Sequence, residues 1–315
     1  MTALAYVFTI LKNIVYGSTK FFTTGLDESG VDALDILALR FLFSFVVLWA
    51  LKITKIIKIN VGIKDIFKST EKRPHIKSLF LAALFEPVLY MLFETLGFTM
   101  TTDVTAAVIL SLMPISVCVC ESLLLKEKTT WLQKIFLGLG ITGVIYIGIN
   151  TSSTDGKDTP LGILFIILAV ASGSLFLVLS RKSSKHFAAF EVTYFSCLFG
   201  MVAFNLANVI RHIYLGDIAH YFDPYFNIDN FIGIVFLAVI STIVAASMNN
   251  FALSKIQAST SSACSGIATL VTILIGVFIS GEKLYYFHYI GFALILIRMI
   301  GVSYVAIKKD KQKNI

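Results

Sequence analysis

Apolar residues in this chain form long continuous runs, not alternating patterns or narrow helical stripes. Ten runs are readable, at 3–22, 33–52, 77–98, 103–125, 131–149, 160–180, 188–210, 230–252, 259–280 and 286–307. Each is close to the about 20 apolar residues that one helix needs to cross a bilayer core. Their continuity excludes a transmembrane β-barrel, whose strands alternate. The pattern therefore predicts an all-α integral membrane protein of ten transmembrane helices.

The pattern also repeats. Residues 103–128, DVTAAVILSLMPISVCVCESLLLKEK, return 155 positions later at 258–283 as ASTSSACSGIATLVTILIGVFISGEK. Each copy opens on a cluster of small residues around Thr105 or Thr260, runs apolar, and stops at Glu-Lys (Glu127-Lys128 and Glu282-Lys283). The chain then divides into halves, 1–155 and 156–315, joined through NTSSTDGKDTP at 150–160. Five spans per half is an odd number, so the second half enters the membrane in the opposite sense. Two inverted five-helix repeats are an architecture of secondary transporters, with the site near the midplane between halves.

Composition agrees. Of 315 residues, 57% are hydrophobic and 14% charged, against about 25% charged in soluble domains. The formal net charge of +7 reflects where the basic residues lie. With the N-terminus in the cytoplasm, nineteen of the 26 Lys and Arg fall in inside segments and at their flanking span edges and three in outside segments; the others are Lys12, Lys20, Arg40 and Arg298. By the positive-inside rule both termini are cytoplasmic, and the basic segments face anionic lipid and not nucleic acid. The first run reads as a retained span, since no basic n-region or A-x-A site precedes it. Two connections stand out. The 52–76 loop reads equally as an amphipathic interfacial helix or a solvated basic loop. The 211–230 loop, with Tyr214, Tyr221, Phe222, Tyr225 and Phe226, reads as an interfacial aromatic segment, with an external lid as the alternative.

Charged groups deep in a span cost about 2.5–3.5 kcal/mol each on insertion scales. Lys20 and Glu121 lie near span ends and can snorkel. The deeper ones are Lys12, Arg40, Glu86, Glu94 and Arg298. In the third span, LFEPVLYMLFETLGF, the residues Glu86, Tyr90 and Glu94 follow i, i+4, i+8 and fall within about 80° of one helix face. They must face the protein interior or a water-filled path. Glu86 can bind a substrate amine or carry a coupling proton, or can sit in a structural ion pair with Lys12 or Arg40. Pro87 removes a backbone donor beside it. In the first span Lys12, Asn13 and Tyr16 are the polar set; Lys12 pairs with Glu86 by depth alone. Arg40 and Glu94 lie at similar depth, which predicts a pair between them. Asn249 is the repeat counterpart of Glu94; it serves either a polar substrate or helix–helix hydrogen bonding. Arg298 is expected in packing or headgroup contact. The clusters at Thr105 and Thr260 let helices approach closely. Pro114 is matched by Thr269, so a kink is expected in one half only.

Enzyme chemistry finds no foothold. The five histidines lie in loops or at span edges, and no H-E-x-x-H, G-x-S-x-G or Walker A pattern occurs. No soluble segment is large enough to bind ATP. The four cysteines lie inside apolar runs without a CxxC pair, so neither a disulfide framework nor a metal site is expected. No cofactor is expected.

Several of these stretches resemble the drug/metabolite transporter superfamily, specifically its EamA-type ten-span members. They are Tyr16-Gly17-Ser18, Arg40, LGFTMTTDVTAAVILSLMP at 96–114, LKEK at 125–128, Gly138/Gly140/Gly143, Ser172-Gly173, and FALSKIQAST…SGEK over 251–283. The departures are Tyr16 where the family often has Trp, Ser172 in the equivalent place of the second half, and Thr269 where that half often has Pro. The resemblance implies an inner-membrane secondary carrier for amino acids, metabolites or drugs, often an exporter. It also implies a central cavity between the halves, with spans five and ten at the back. The expected cargo is a small polar or zwitterionic metabolite moved by exchange or proton coupling, with a hydrophobic cation as runner-up. A non-transporting scaffold or sensor is the alternative of another class. Partners are the lipid bilayer and a small molecule, and a homodimer stays open.

Overall fold

The computed structural model describes residues 2–56, 73–101, 103–127, 130–151, 159–279 and 285–313. Most of the basic 52–76 loop, the centre of the linker, Lys128 and the Glu282-Lys283 pair lie outside the described residues. Ten helical units follow one another among those described. They are α1 (Thr2–Glu28), α2 (Ala33–Ile53), α3 (Ile76–Met100), α4 in two pieces (Asp103–Leu110 and Met113–Leu124) and α5 (Trp131–Thr151). The second half holds α6 (Pro160–Ser183), α7 (Ala189–Leu215), α8 (Ile228–Lys255), α9 in two pieces (Ala258–Ala263 and Gly266–Phe278) and α10 (Tyr286–Lys313). Each matches one apolar run to within a few residues. Among the described residues five of them, α2, α3, α6, α7 and α8, are by length and composition long and apolar enough to cross a membrane.

Helix boundaries follow local chemistry. Asp32 accepts a hydrogen bond from the Leu34 amide and Thr159 one from Gly162, satisfying orphan donors at the starts of α2 and α6. Pro160 stands in the first turn of α6, where no amide is needed. Gly216 ends α7 with φ +77°, a left-handed cap that a side chain would resist.

The halves are related in packing as well as in hydropathy. The α3–α6 contact has its counterpart in α8–α1, and α4–α6 in α9–α1. The α2–α7 and α5–α10 pairs are their own counterparts. The correspondence reaches single residues. Gly17 of α1 lies against Ala268 of α9, and Gly173 of α6 lies against Met113 of α4; Ala268 is the residue 155 after Met113. Both third helices depart from regular α-helix at matching places, with a kink within Leu84–Leu89 in α3 and a π-helical stretch over Phe236–Ala245 in α8. Both fourth helices are interrupted, at Ser111-Leu112 and at Cys264-Ser265. The kink expected in one half therefore occurs in both. Pro114 stands in the first turn of the second α4 piece, and Gly266 opens the corresponding α9 piece. Helices α5 and α10 pack chiefly on each other and on α4 and α9, at the edge of the bundle.

Three other positions bear on the expectations. Glu121 does not snorkel: it is fully buried, and its carboxylate accepts from the backbone amides of Ala258 and Ser259 at the start of α9. Arg298 takes the packing alternative. It is buried, with its side chain packed over Gly140 and Gly266. The aromatic segment after α7 is divided. Tyr221 and Tyr225 fold inward and donate to Asn205 and to the Leu39 carbonyl, whereas Tyr214 and Phe226 stay exposed.

Gly17 tests the close α1–α9 approach. A Cβ there would meet the Ala268 carbonyl oxygen at 2.5 Å and Val271 Cβ at 2.7 Å, neither able to swing aside. Gly17→Ala is expected to cost about 1–3 kcal/mol. Gly138→Ala, with nothing within 4 Å of the new carbon, is expected to be within about 0.5 kcal/mol of wild type. Melting in detergent, followed by size exclusion, separates them; equal melting points would contradict the close approach.

Candidate functional site

A cavity of about 430 Å³ lies between the halves, bordered by every helix except α5 and α10. All eight residues singled out from the sequence border it: Lys12, Asn13 and Tyr16 from α1, Arg40 from α2, Glu86, Tyr90 and Glu94 from α3, and Asn249 from α8. Their placement follows from the backbone. Glu86 has extended dihedrals (φ −143°, ψ 125°) at the kink of α3, so the helix is interrupted where the carboxylate meets the cavity.

The pairing differs from expectation. Lys12 does not pair with Glu86. Its ammonium donates to Asn249 Oδ1 and to Ser261 Oγ, the latter at 2.9 Å. Arg40 does not pair with Glu94. Its Nε donates to Thr242 Oγ1 at 2.7 Å, and Thr242 donates in turn to the Leu237 carbonyl. Glu94 instead accepts from the Tyr90 hydroxyl at 2.5 Å. Asn13 donates within its own helix to the Thr9 carbonyl at 2.7 Å. Among the described residues, Glu86 makes no hydrogen bond and no ion pair, although it lies in the field of Lys12, Arg40 and Glu94. The reason is reach across the halves: α8 and α9 present neutral amides and hydroxyls to the cations of α1 and α2 before any carboxylate meets them.

Sequence reading missed Thr242 and Ser261. Thr242 stands within a continuous apolar run and gave no signal. Ser261 belongs to the small-residue cluster, whose density of hydroxyls was the available sign. Asn250, adjacent to Asn249, ties α8 to α6 and α7 by accepting from Ser180 at 2.6 Å and donating to Thr193 at 3.0 Å.

The two ends of the bundle are unlike. At the end holding the start of α1, Arg181 of α6 joins four helices. It donates to both Glu127 carboxylate oxygens at 2.8–3.3 Å, and through Nη1 to the carbonyls of Leu253 and Ile256. Its Nε lies 3.5 Å from Glu121, which itself holds the start of α9. Lys185 adds a 3.2 Å contact to Glu127. The residues 155 away from Arg181 and Glu121 are Leu26 and Gly276, which cannot form such a hub. The opposite end has instead a groove of about 910 Å³ between α1, α8 and α9, bordered by Gly17, Lys20, Glu28, Asp229 and Thr272. There the halves are joined at α2 and α7, where Asp35 meets Asn208, Arg211 and His212 at 2.8–3.1 Å.

Two related helical repeats around a cavity bordered by charged and hydroxyl side chains form an architecture that membrane transporters use. The EamA-like transporter family model matches residues 3–149 and 160–304. The uncharacterized transporter YcxC of Bacillus subtilis (strain 168) is 30% identical over 312 residues, covering 98% of this chain and 95% of that one. The uncharacterized transporter YetK of the same organism is 24% identical over 220 residues, covering 69% of this chain and 64% of its own. A solved crystal structure superposes with a TM-score of 0.70 over 96% of this chain and 98% of that one, at 15% identity, a likeness of fold. The chain belongs to the EamA-like transporter family of the drug/metabolite transporter superfamily.

The Arg181 hub has a pH signature. Partial burial alone would favour neutral Glu127, but Arg181 and Lys185 hold its carboxyl below the usual range. A depressed value contributes stability that is complete above the unfolded carboxylate value, about 4.3, and is lost as pH falls through the lower folded value. Glu127→Gln is expected to lower stability by about 2–3 kcal/mol. The melting-point gap to wild type should stay constant from pH 8 to pH 5 and narrow only below about pH 4. A gap that closes between pH 7 and pH 5 would contradict the assignment.

Proposed function

We propose that this protein is a secondary carrier of the cytoplasmic membrane that moves a small polar or zwitterionic metabolite, such as an amino acid, by alternating access. Transport is outward or by exchange, with a proton or counter-substrate as the coupled species. The observation that carries the reading is Glu86, a carboxylate at the cavity between the halves with no hydrogen-bond or ion-pair partner among the described residues. A scaffold has no reason to leave such a group unmatched, because an unpaired charge in an apolar bundle is costly. A cavity open in turn to each side matches it with cargo or proton. The unlike ends support alternating access, since one is fastened by Arg181 and the other carries a groove. A hydrophobic cation is the weaker reading, because Lys12 and Arg40 border the same space and repel it.

The flux test uses proteoliposomes loaded with a mixed metabolite pool and read by mass spectrometry. Wild type is expected to deplete one compound class. Folded Glu86→Gln is expected to lose at least about tenfold of that flux, the weight of one charge-assisted contact. Full, pH-insensitive transport by the variant would remove Glu86 from the path. Depletion of nothing, with both proteins folded, would favour the scaffold.

The orientation, with both termini in the cytoplasm, is tested by thiol labelling in a background lacking the four native cysteines. Tyr214→Cys is expected to react with an impermeant reagent in intact cells, and Lys55→Cys only after permeabilisation. The reverse pattern would invert the topology.

A further inference from the structure

The charged side chains around the cavity sort into those already partnered and those left open. Lys12 is engaged by Asn249 and Ser261, and Glu94 by Tyr90. Arg40 is engaged on one side only. Its Nε serves Thr242, while neither terminal nitrogen makes a hydrogen bond or ion pair among the described residues. Glu86 is open altogether, and no ion pair within 4.0 Å joins it to Arg40 or Lys12. The site therefore offers one free carboxylate and the free outer edge of one guanidinium, facing a shared space.

We infer that Glu86 and the outer edge of Arg40 are the two poles that read the cargo, the first taking an ammonium and the second a carboxylate. This rests on the carrier reading above and makes its substrate class specific: a zwitterion bearing both groups at short separation. Two acidic and two basic side chains border the cavity, so a ligand of zero net charge leaves the site's neutrality unchanged. It also satisfies both open groups at once. A plain cation would satisfy Glu86 and leave the guanidinium edge bare, and a plain anion would do the reverse; either leaves one half-buried charge without a protein or ligand partner. The free edge of Arg40 is the part suited to a carboxylate, because its two terminal nitrogens present parallel donors to two oxygens. Lys12 and Glu94, already engaged by protein groups, are instead part of the frame.

The test needs no variant to begin. Proteoliposomes holding the wild-type carrier are given the standard amino acids. The one taken up best is then compared with its methyl ester, which removes the anionic pole, and its N-acetyl form, which removes the cationic one. Each modification is expected to reduce uptake by about ten- to a hundredfold, the range for one charge-assisted contact. In folded Arg40→Gln the preference over the methyl ester should fall to about one while the preference over the N-acetyl form persists, and in Glu86→Gln the reverse. Equal uptake of the three compounds by wild type would overturn the two-pole reading. So would depletion of only non-zwitterionic compounds from the mixed pool, although the carrier reading would then stand. Absence of flux for every compound would overturn both.

Discussion

A charge inside an apolar bundle must be met by a polar group, and the arrangement around the cavity follows from how that requirement is fulfilled. The first half brings the charges, on Lys12, Arg40, Glu86 and Glu94. The second half brings neutral partners, Asn249, Ser261 and Thr242, positioned on α8 and α9. The repeats thus keep a common backbone and divide the chemistry between them. Position 94 and its counterpart 249 show the division most plainly: a carboxylate in one half, an amide in the other, both at the cavity.

The fold was legible because burial in hydrocarbon leaves a strong and simple trace. Ten continuous runs gave ten helical units, and the 155-residue shift located the related halves down to Met113 and Ala268. The cavity residues were legible for the same reason: polar groups in such runs have few places to go. Their pairing was not legible. Depth along a helix fixes one coordinate of a side chain, whereas pairing depends on rotation and on the facing helix. Lys12 and Glu86 share a depth yet Lys12 turns to α8 and α9, and Arg40 turns to Thr242, a residue without any mark in its run. Glu121 was misread on similar grounds. Its position near a span end permits snorkelling, but the start of α9 places two amides beside it, and a helix N-terminus is a favourable partner for a carboxylate.

The break in the fourth helix of each half is instructive about what symmetry preserves. Only α4 has a proline there, but α4 and α9 both break before entering their second piece. The interruption is therefore a property of the shared backbone, stabilised in one half by Pro114 and compatible in the other with Gly266. The departures from regular helix in α3, a kink, and in α8, a π-helical stretch, fall at matching places in the same way. Symmetry holds for backbone shape and close approach, and it lapses for side-chain chemistry.

That lapse bears on how the proposed alternating access would be driven. Every hydrogen bond from Lys12 and Arg40 to Asn249, Ser261 and Thr242 crosses between the halves, so any rocking of one half against the other changes it. Each such bond contributes about 1 kcal/mol net, more where a charge takes part. A few of them amount to the few kcal/mol that separate interconverting conformers. The Arg181 hub weighs on one side of that equilibrium, since it fastens α4, α6, α8 and α9 at a single end, and Leu26 and Gly276, the residues 155 away from Arg181 and Glu121, cannot repeat it at the other. A ligand can shift the equilibrium only by binding one conformer more tightly than the other. The open groups at Glu86 and Arg40 supply that difference, because they belong to different helices of the first half and border a space closed by the second. Rocking of the halves would keep these two groups together and change the wall of α8 and α9 that closes over a bound ligand. The charges that are costly to bury when empty are therefore the same groups through which cargo would move the protein from one conformer to the next.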